Sequence, residues 1–302
     1  MQDRGLAAYI AELIGTLFLV FFITSVVVLY VAAGQNATFG SDFAVVGLTH
    51  AFVLFVLIAS IGIASGGHFN PAVTTAFIAL RRMDPIDGLV YILAQLSGGV
   101  VGALLTKGLL LDEGRASNYG TPEVSDLLGG SLQGAIVEAL GAFMLVLTVL
   151  AVALNPSARR HWAPLSIGAA LGFIVMVMGP LTGASVNPAR WFGPALVGSE
   201  FADAWLYIVG PLVGAVLAAA VYRFVIEPAS GPAQEVADEV APRGPAPPAG
   251  ESPPLRQEHG GPPGPGGPGG PAGPGSTGGG SGGPPPGGSP PPSNPPGGIV
   301  GG

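Results

Sequence analysis

The chain of 302 residues has a formal net charge of −7, only 10% charged residues and 49% apolar residues. A soluble domain contains roughly 25% charged residues, so this composition argues against a soluble enzyme and favours an integral membrane protein. The sequence has no basic patch suited to a nucleic acid. It also contains no cysteine, which excludes disulfides, thiolate metal sites and cysteine nucleophiles.

Six apolar stretches are long enough to cross a bilayer, which requires about 20 mostly apolar residues. They cover residues 6–31, 43–63, 89–111, 132–154, 162–178 and 204–226. With six spans both termini lie on one side, and the basic residues of that side are Arg4, Arg81, Arg82, Arg159, Arg160 and Arg223, against Lys107 and Arg115 on the other. Because basic loops stay in the cytoplasm, we predict cytoplasmic termini. The short loops favour a prokaryotic plasma membrane.

The first three spans resemble the last three. Residues 11–20 (AELIGTLFLV) align with residues 137–146 (VEALGAFMLV), which sets Glu12 over Glu138, and the third span aligns more weakly with the sixth through its small residues. Since each repeat holds three spans, the second repeat must enter the membrane from the opposite side, an arrangement typical of channels and transporters. We therefore predict one membrane domain over residues 1–227, with repeats at about 5–111 and 131–226.

Each repeat also holds a segment that is too short to cross the membrane, between its second and third spans. The two segments begin with Asn70-Pro71-Ala72 and Asn187-Pro188-Ala189. Asparagine favours the N-cap of a helix and proline its first turn, so each box predicts a half helix with free N–H groups at its start. Such re-entrant backbone survives at membrane depth only where protein buries it or where it lines a wet cavity. The plainer interpretation of each asparagine is helix capping alone.

Two such boxes, one in each inverted repeat, make the chain resemble the aquaporin or major intrinsic protein family over about residues 5–226. The resemblance implies an all-α membrane fold of six helices and two re-entrant half helices, with a pore in each subunit of a homotetramer. It implies a passive water channel that excludes protons and ions and needs no cofactor or metal. There Asn70 and Asn187 would donate hydrogen bonds to passing water, while the two helix N-termini repel cations.

The resemblance further implies a selectivity filter near the extracellular mouth, formed by His50, Val175, Ala184 and Arg190. Considered alone, His50 could be a packed core histidine, and Arg190 could be an interfacial arginine that reaches lipid headgroups. Histidine followed by valine at the first two positions resembles the plant vacuolar-type members, which pass water and some small neutral solutes. Ammonia, urea and glycerol stay open as further solutes, although no acidic residue follows Arg190 as expected for a glycerol-selective member.

Three ionisable residues in the predicted membrane region have two interpretations each. Glu12 and Glu138 could form a proton relay, the default for intramembrane carboxylates. We favour a structural role in which they accept N–H bonds from loops 65–68 and 182–185. His68 could be a gate at the pore mouth, but we favour a contact that fixes its loop.

Two other functional classes fit less well. A secondary transporter also uses inverted repeats and broken helices, but it needs an ionisable pair at the midplane, where only the asparagine amides are predicted. An intramembrane enzyme needs a nucleophile and a base in one cavity, and the spans offer no such constellation. Residues 228–302 contain 22 Pro and 23 Gly, so we expect a disordered cytoplasmic tail, with partner docking as the less favoured role.

Overall fold

The computed structural model describes residues 5–32, 41–155, 158 and 160–229, and these residues form helices and loops without a β-strand. The main helices are α1 (Gly5–Val27), α2 (Ser41–Ser65), α3 (Pro71–Ala79), α4 (Pro85–Leu109), α5 (Ser131–Ala153), α6 (Ala163–Thr182), α7 (Pro188–Gly198) and α8 (Ala204–Val221). Six of them are long and apolar enough to cross a membrane, whereas α3 and α7 are not. The predicted all-α membrane fold is confirmed, and the protein crosses the membrane several times. The predicted tail lies, after its first two residues, outside the described residues.

Two helices extend beyond the predicted spans by four residues each. The third spanning helix begins at Pro85 rather than at residue 89, because the carboxylate of Asp84 accepts the N–H groups of Ile86 at 2.9 Å and Asp87 at 3.3 Å. The fifth continues through Pro180 to Thr182 rather than ending at 178. A membrane helix tolerates an internal proline when its neighbours satisfy the freed carbonyl.

The helices pack in a pattern that is unchanged when the two repeats are exchanged. Helix α1 packs on α2 and α4, and α5 packs correspondingly on α6 and α8. Each half helix crosses to the other repeat, since α3 packs on α8 and α7 packs on α4, while α2 and α6 pack on each other. This is the contact pattern expected for two repeats related by a two-fold axis. It brings the N-terminal ends of both half helices into the interior.

Small residues make the closest helix contacts possible. A Cβ on Gly98 of α4 would overlap the carbonyl oxygen of Leu13 in α1, and a Cβ on Gly214 of α8 would overlap the carbonyl oxygen of Ala139 in α5. Membrane helices associate through such close backbone approach because lipid supplies no hydrophobic drive between them. The weak similarity between the third and sixth spans therefore reflects a shared packing requirement.

Large apolar side chains cover the outside of the helices. Examples are Phe52, Val177 and Leu217, each more than half exposed in the isolated chain. A soluble protein would not leave such a continuous apolar surface in water. The polar side chains are instead collected inside, around the two half helices.

Candidate functional site

The two half helices begin at the asparagines of the Asn-Pro-Ala boxes. The side-chain oxygen of Asn70 accepts the N–H of Ala72 at 2.8 Å, and that of Asn187 accepts the N–H groups of Ala189 at 2.9 Å and Arg190 at 3.3 Å. Both asparagines have extended backbone, and a proline follows each at the first helical position. Local chemistry alone therefore fixes where α3 and α7 start.

The same asparagines join the two repeats at the centre of the molecule. The amide nitrogen of Asn70 donates to the carbonyl oxygen of Val186 at 3.0 Å, and that of Asn187 donates to the carbonyl oxygen of Phe69 at 2.9 Å. Phe69 and Val186 have φ angles of 46° and 44°, which non-glycine residues rarely adopt. Each amide nitrogen carries a second hydrogen. Capping and cross-linking together thus leave one N–H donor free on each asparagine.

Glu12 in α1 is fully buried and accepts four hydrogen bonds. Its donors are the hydroxyl of Ser65 at 2.6 Å, the N–H groups of His68 at 2.9 Å and Phe69 at 2.6 Å, and the amide of Gln95 at 2.7 Å. The N–H groups of His68 and Phe69 lie in the loop before α3, outside any helix or strand. The Glu12 carboxylate therefore satisfies N–H groups that would otherwise be buried unpaired. Glu12 therefore sets the shape of the loop.

Glu138 in α5 repeats this arrangement in front of α7. It is fully buried and accepts the hydroxyl of Thr182 at 2.7 Å and the N–H groups of Ser185 at 2.9 Å and Val186 at 2.6 Å. A tyrosine closes each loop, since Tyr91 donates to the carbonyl of Ser65 at 2.9 Å and Tyr207 donates to that of Thr182 at 3.0 Å. Each carboxylate thus accepts N–H groups of the loop before a half helix, and the structural role of both stays a prediction.

A narrow cavity runs along the two half-helix ends. Its polar lining consists of His50, His68, Asn70, Ser185, Asn187 and Arg190, and its remaining wall is mostly Leu, Ile and Val from α1, α2, α5 and α6. The cavity has a volume of about 20 Å³, close to the roughly 10–15 Å³ that one water requires. Such a cavity admits small molecules one at a time, with few polar groups to bind them.

A wider cavity of about 330 Å³ lies on the extracellular side that the sequence predicts, and Arg190 lines both cavities. The guanidinium of Arg190 is 2% exposed and donates from Nη1 to the carbonyl oxygen of Gly120 at 2.9 Å. Its Nε has no protein partner. Arg190 therefore stands between the wide cavity and the narrow one.

The other three residues predicted for the filter are all buried, and two of them line one of the two cavities. His50 lines the narrow cavity, where its Nδ1 lies 2.7 Å from the carbonyl oxygen of Val46 and its Nε2 has no protein partner. Val175 lines the wide cavity. Ala184 is 1% exposed but is not a lining residue of either cavity, and its N–H points to the hydroxyl of Thr182 at 3.3 Å.

His68 contacts its own loop and also faces the narrow cavity. Its Nδ1 lies 3.1 Å from the hydroxyl of Thr74, and its ring packs 4.5 Å from that of Phe77, so it does fix its loop. It also lines the narrow cavity, and a role as a gate stays a prediction.

Several contacts at the site were missed by the sequence analysis. Gln95 gives Glu12 a partner that Glu138 lacks, and the carbonyl of Gly120 holds Arg190. A glutamine in an otherwise apolar span was a visible signal, whereas a backbone carbonyl in a loop carries none. The bulk of Trp191 is directed to α8, where it stacks on Tyr207 with ring centroids 5.8 Å apart.

The chain is similar to known channel proteins over the whole membrane domain. A family model described as major intrinsic protein matches residues 2–222. The probable aquaporin TIP2-2 of Oryza sativa subsp. japonica is 37% identical over 224 residues, which cover 73% of this chain and 88% of that protein. The glycerol uptake facilitator protein-like 6 of Lactiplantibacillus plantarum is 39% identical over 214 residues, which cover 70% of this chain and 94% of that protein.

The fold is also similar to a solved structure. The X-ray structure of the aquaglyceroporin from Plasmodium falciparum matches with a TM-score of 0.65 at 21% identity, over 74% of this chain and 98% of that chain. This match concerns the arrangement of the helices alone.

Proposed function

Since this chain belongs to the major intrinsic protein family, a family of membrane channels, we propose that it conducts water passively through the narrow cavity between its half helices. The family predicted from the paired boxes is confirmed. Relatives carry the names aquaporin and glycerol uptake facilitator, so water is the main solute of the proposal and small neutral solutes are the alternative. The observation that carries it is the pair of asparagine amides, each with one donor left for the cavity.

These two donors explain how water would pass while protons would not. A water molecule between Asn70 and Asn187 accepts hydrogen bonds through its oxygen, so its hydrogens point away along the channel. Neighbouring waters are then oriented in opposite directions, and a continuous proton wire is broken. The N-termini of α3 and α7 add positive partial charge from both sides, which opposes cations.

We assign the selectivity filter to His50, Val175, Ala184 and Arg190. Arg190 is supported by its place between the two cavities, and His50 by its free ring nitrogen in the narrow one. Val175 gives the wall of the wide cavity a short, apolar side chain. This favours the entry of small neutral solutes such as urea, ammonia or glycerol in addition to water. The small side chain of Ala184 would let the backbone at this position lie close to the pore.

The remaining parts of the proposal concern the setting of the channel. The arginine distribution supports cytoplasmic termini, and the short loops support a plasma membrane. The exposed apolar helix faces fit contact with lipid and with further copies in a homotetramer. Passive conduction involves no chemical step, so the proposal assigns no enzymatic activity, cofactor or metal. A coupled transporter would need ionisable groups at the midplane, where the structure has asparagines.

Stopped-flow light scattering on proteoliposomes tests this function. Under a sucrose gradient, liposomes with the protein should shrink faster than empty ones, with a low activation energy and without a proton leak. Urea, glycerol and ammonium gradients then establish the range of solutes. Shrinkage at the rate of empty liposomes would reject water conduction, and uptake that follows a proton gradient would favour the transporter.

The absence of cysteine allows a direct test of the position of Val175. Because the wild-type chain offers no thiol, a mercurial reagent should leave its water permeability unchanged. Val175→Cys places a thiol at the wall of the wide cavity, so we expect the same reagent to remove most of the water permeability. Val177→Cys is a matched control, since Val177 lies on the same helix but is 66% exposed on the outer surface. Equal inhibition of both variants would contradict the assignment of Val175.

A further inference from the structure

The segment that holds Arg190 is strained. Asn118, Tyr119 and Gly120 follow one another with φ angles of 46°, 56° and 78°, although only the last is a glycine. Consecutive residues in this region persist only where surrounding contacts enforce them, and such strain concentrates at functional sites. The segment ends at the carbonyl of Gly120, the acceptor of the Arg190 hydrogen bond. The contacts around this segment therefore decide whether Arg190 keeps its acceptor.

Lys107, the single lysine of the chain, contacts both the strained segment and the helix that carries Arg190. Its ammonium lies 4.8 Å from the centre of the Tyr119 ring, within the range of a cation–π interaction, and donates to the carbonyl oxygen of Val197 at 3.0 Å. Val197 belongs to α7, about two helical turns after Arg190. Lys107 thus connects the helix that carries the guanidinium with the segment that carries its acceptor.

The surroundings of Tyr119 leave it one position. Its ring is 7% exposed and packs with Val20, Ala103 and Val197, from α1, α4 and α7. Gly114 makes room for the ring, because a Cβ at that position would overlap it. At Gly198, a Cβ would lie only 2.9 Å from the carbonyl oxygen of Asn118.

We propose that Lys107 and Tyr119 are positioning residues for the filter. They fix the Gly120 carbonyl and thereby hold the Arg190 guanidinium in place between the two cavities. The inference rests on the proposed function, because its effect is on which solutes pass. Neither side chain lines the two cavities that Arg190 joins, so neither touches a permeating solute. When the latch formed by Lys107 and Tyr119 is broken, the strained segment relaxes, Arg190 loses its fixed acceptor, and the filter becomes wider and less selective.

Lys107→Met tests the latch, since it keeps the length of the side chain and removes the charge. In proteoliposomes of the full chain, we expect the ratio of urea to water permeability to rise about fivefold, the factor that one cation–π contact corresponds to. Lys107→Arg retains a cation and should restore the wild-type ratio. Arg115→Met is the matched control, because this exposed arginine lies in the loop that contains Tyr119 but pairs with Asp112 instead, and the variant should keep the wild-type ratio.

A Lys107→Met protein that elutes and incorporates like wild type but keeps the wild-type ratio would overturn the proposal. If that variant does not incorporate, Gly198→Ala provides the same test from the other side, since the added methyl group displaces the carbonyl of Asn118. An unchanged ratio in a folded Gly198→Ala protein would equally overturn it. If the wild-type protein conducts no water, the proposed function itself is wrong. If the wild type conducts water but its urea-to-water permeability ratio is unchanged in Lys107→Met, only the role of Lys107 is wrong.

Discussion

Replacing Arg190 by valine is expected to raise the permeability to urea and glycerol roughly tenfold while water still passes. A tenfold change corresponds to about 1.4 kcal/mol of barrier, close to the lower end of the roughly 1.5–3 kcal/mol that one hydrogen bond to a charged group contributes. Arg190 supplies both the bulk and the positive charge where the wide cavity narrows. Valine removes both, so larger neutral solutes meet a wider filter, and the positive charge that repels cations at this point is gone.

The experiment compares sucrose, urea and glycerol traces for Arg190→Val, wild type and Arg115→Val. The control removes an arginine whose side chain is 68% exposed, so a general effect of lost charge would appear in both variants. A pH-sensitive dye inside the liposomes reports protons, whose leak should increase only in Arg190→Val. Solute traces equal to wild type, from a variant with normal incorporation, would show that Arg190 does not restrict the channel.

The sequence predicted those parts of the fold that depend on local chemistry. The six spans follow from length and hydropathy, and the two half helices follow from Asn-Pro boxes that carry their own cap and first turn. Helix ends were less certain where a boundary depends on one side chain. At Asp84, for example, a cap starts α4 four residues before the apolar run that was counted.

The site was predictable where the internal repeat constrained it. Glu12 and Glu138 aligned in the two repeats, and two buried carboxylates at equivalent places imply two equivalent sets of donors. The partners of Arg190 were not predictable, because the acceptor is a backbone carbonyl in a loop, and its position depends on strain and on contacts with three separate helices. The role of Lys107 was likewise not predictable, because its contacts with Tyr119 and Val197 join residues that are distant in the sequence.

Replacing Glu138 by alanine should destabilise the protein by several kcal/mol. The change leaves the Thr182 hydroxyl and the N–H groups of Ser185 and Val186 without their acceptor, and each buried unpaired group costs about 1–3 kcal/mol. Thermal unfolding in detergent, followed by tryptophan fluorescence, should show a lower midpoint. Glu113→Ala is the control, since Glu113 is exposed in the loop between α4 and α5, and this variant should unfold like wild type.

Glu138→Gln separates the structural role from a proton relay. Glutamine keeps one oxygen, which can accept from Thr182 and Ser185 as Oε1 does, but its NH₂ group then faces the N–H of Val186. We expect a loss of stability smaller than that of alanine, with water permeability retained per folded channel. A proton relay predicts a different result for Glu138→Gln. Because glutamine cannot ionise, the variant would stay folded but lose any proton-linked flux. Retained water conduction without any proton-dependent flux in the wild type would therefore leave Glu138 as the acceptor that shapes the loop before α7.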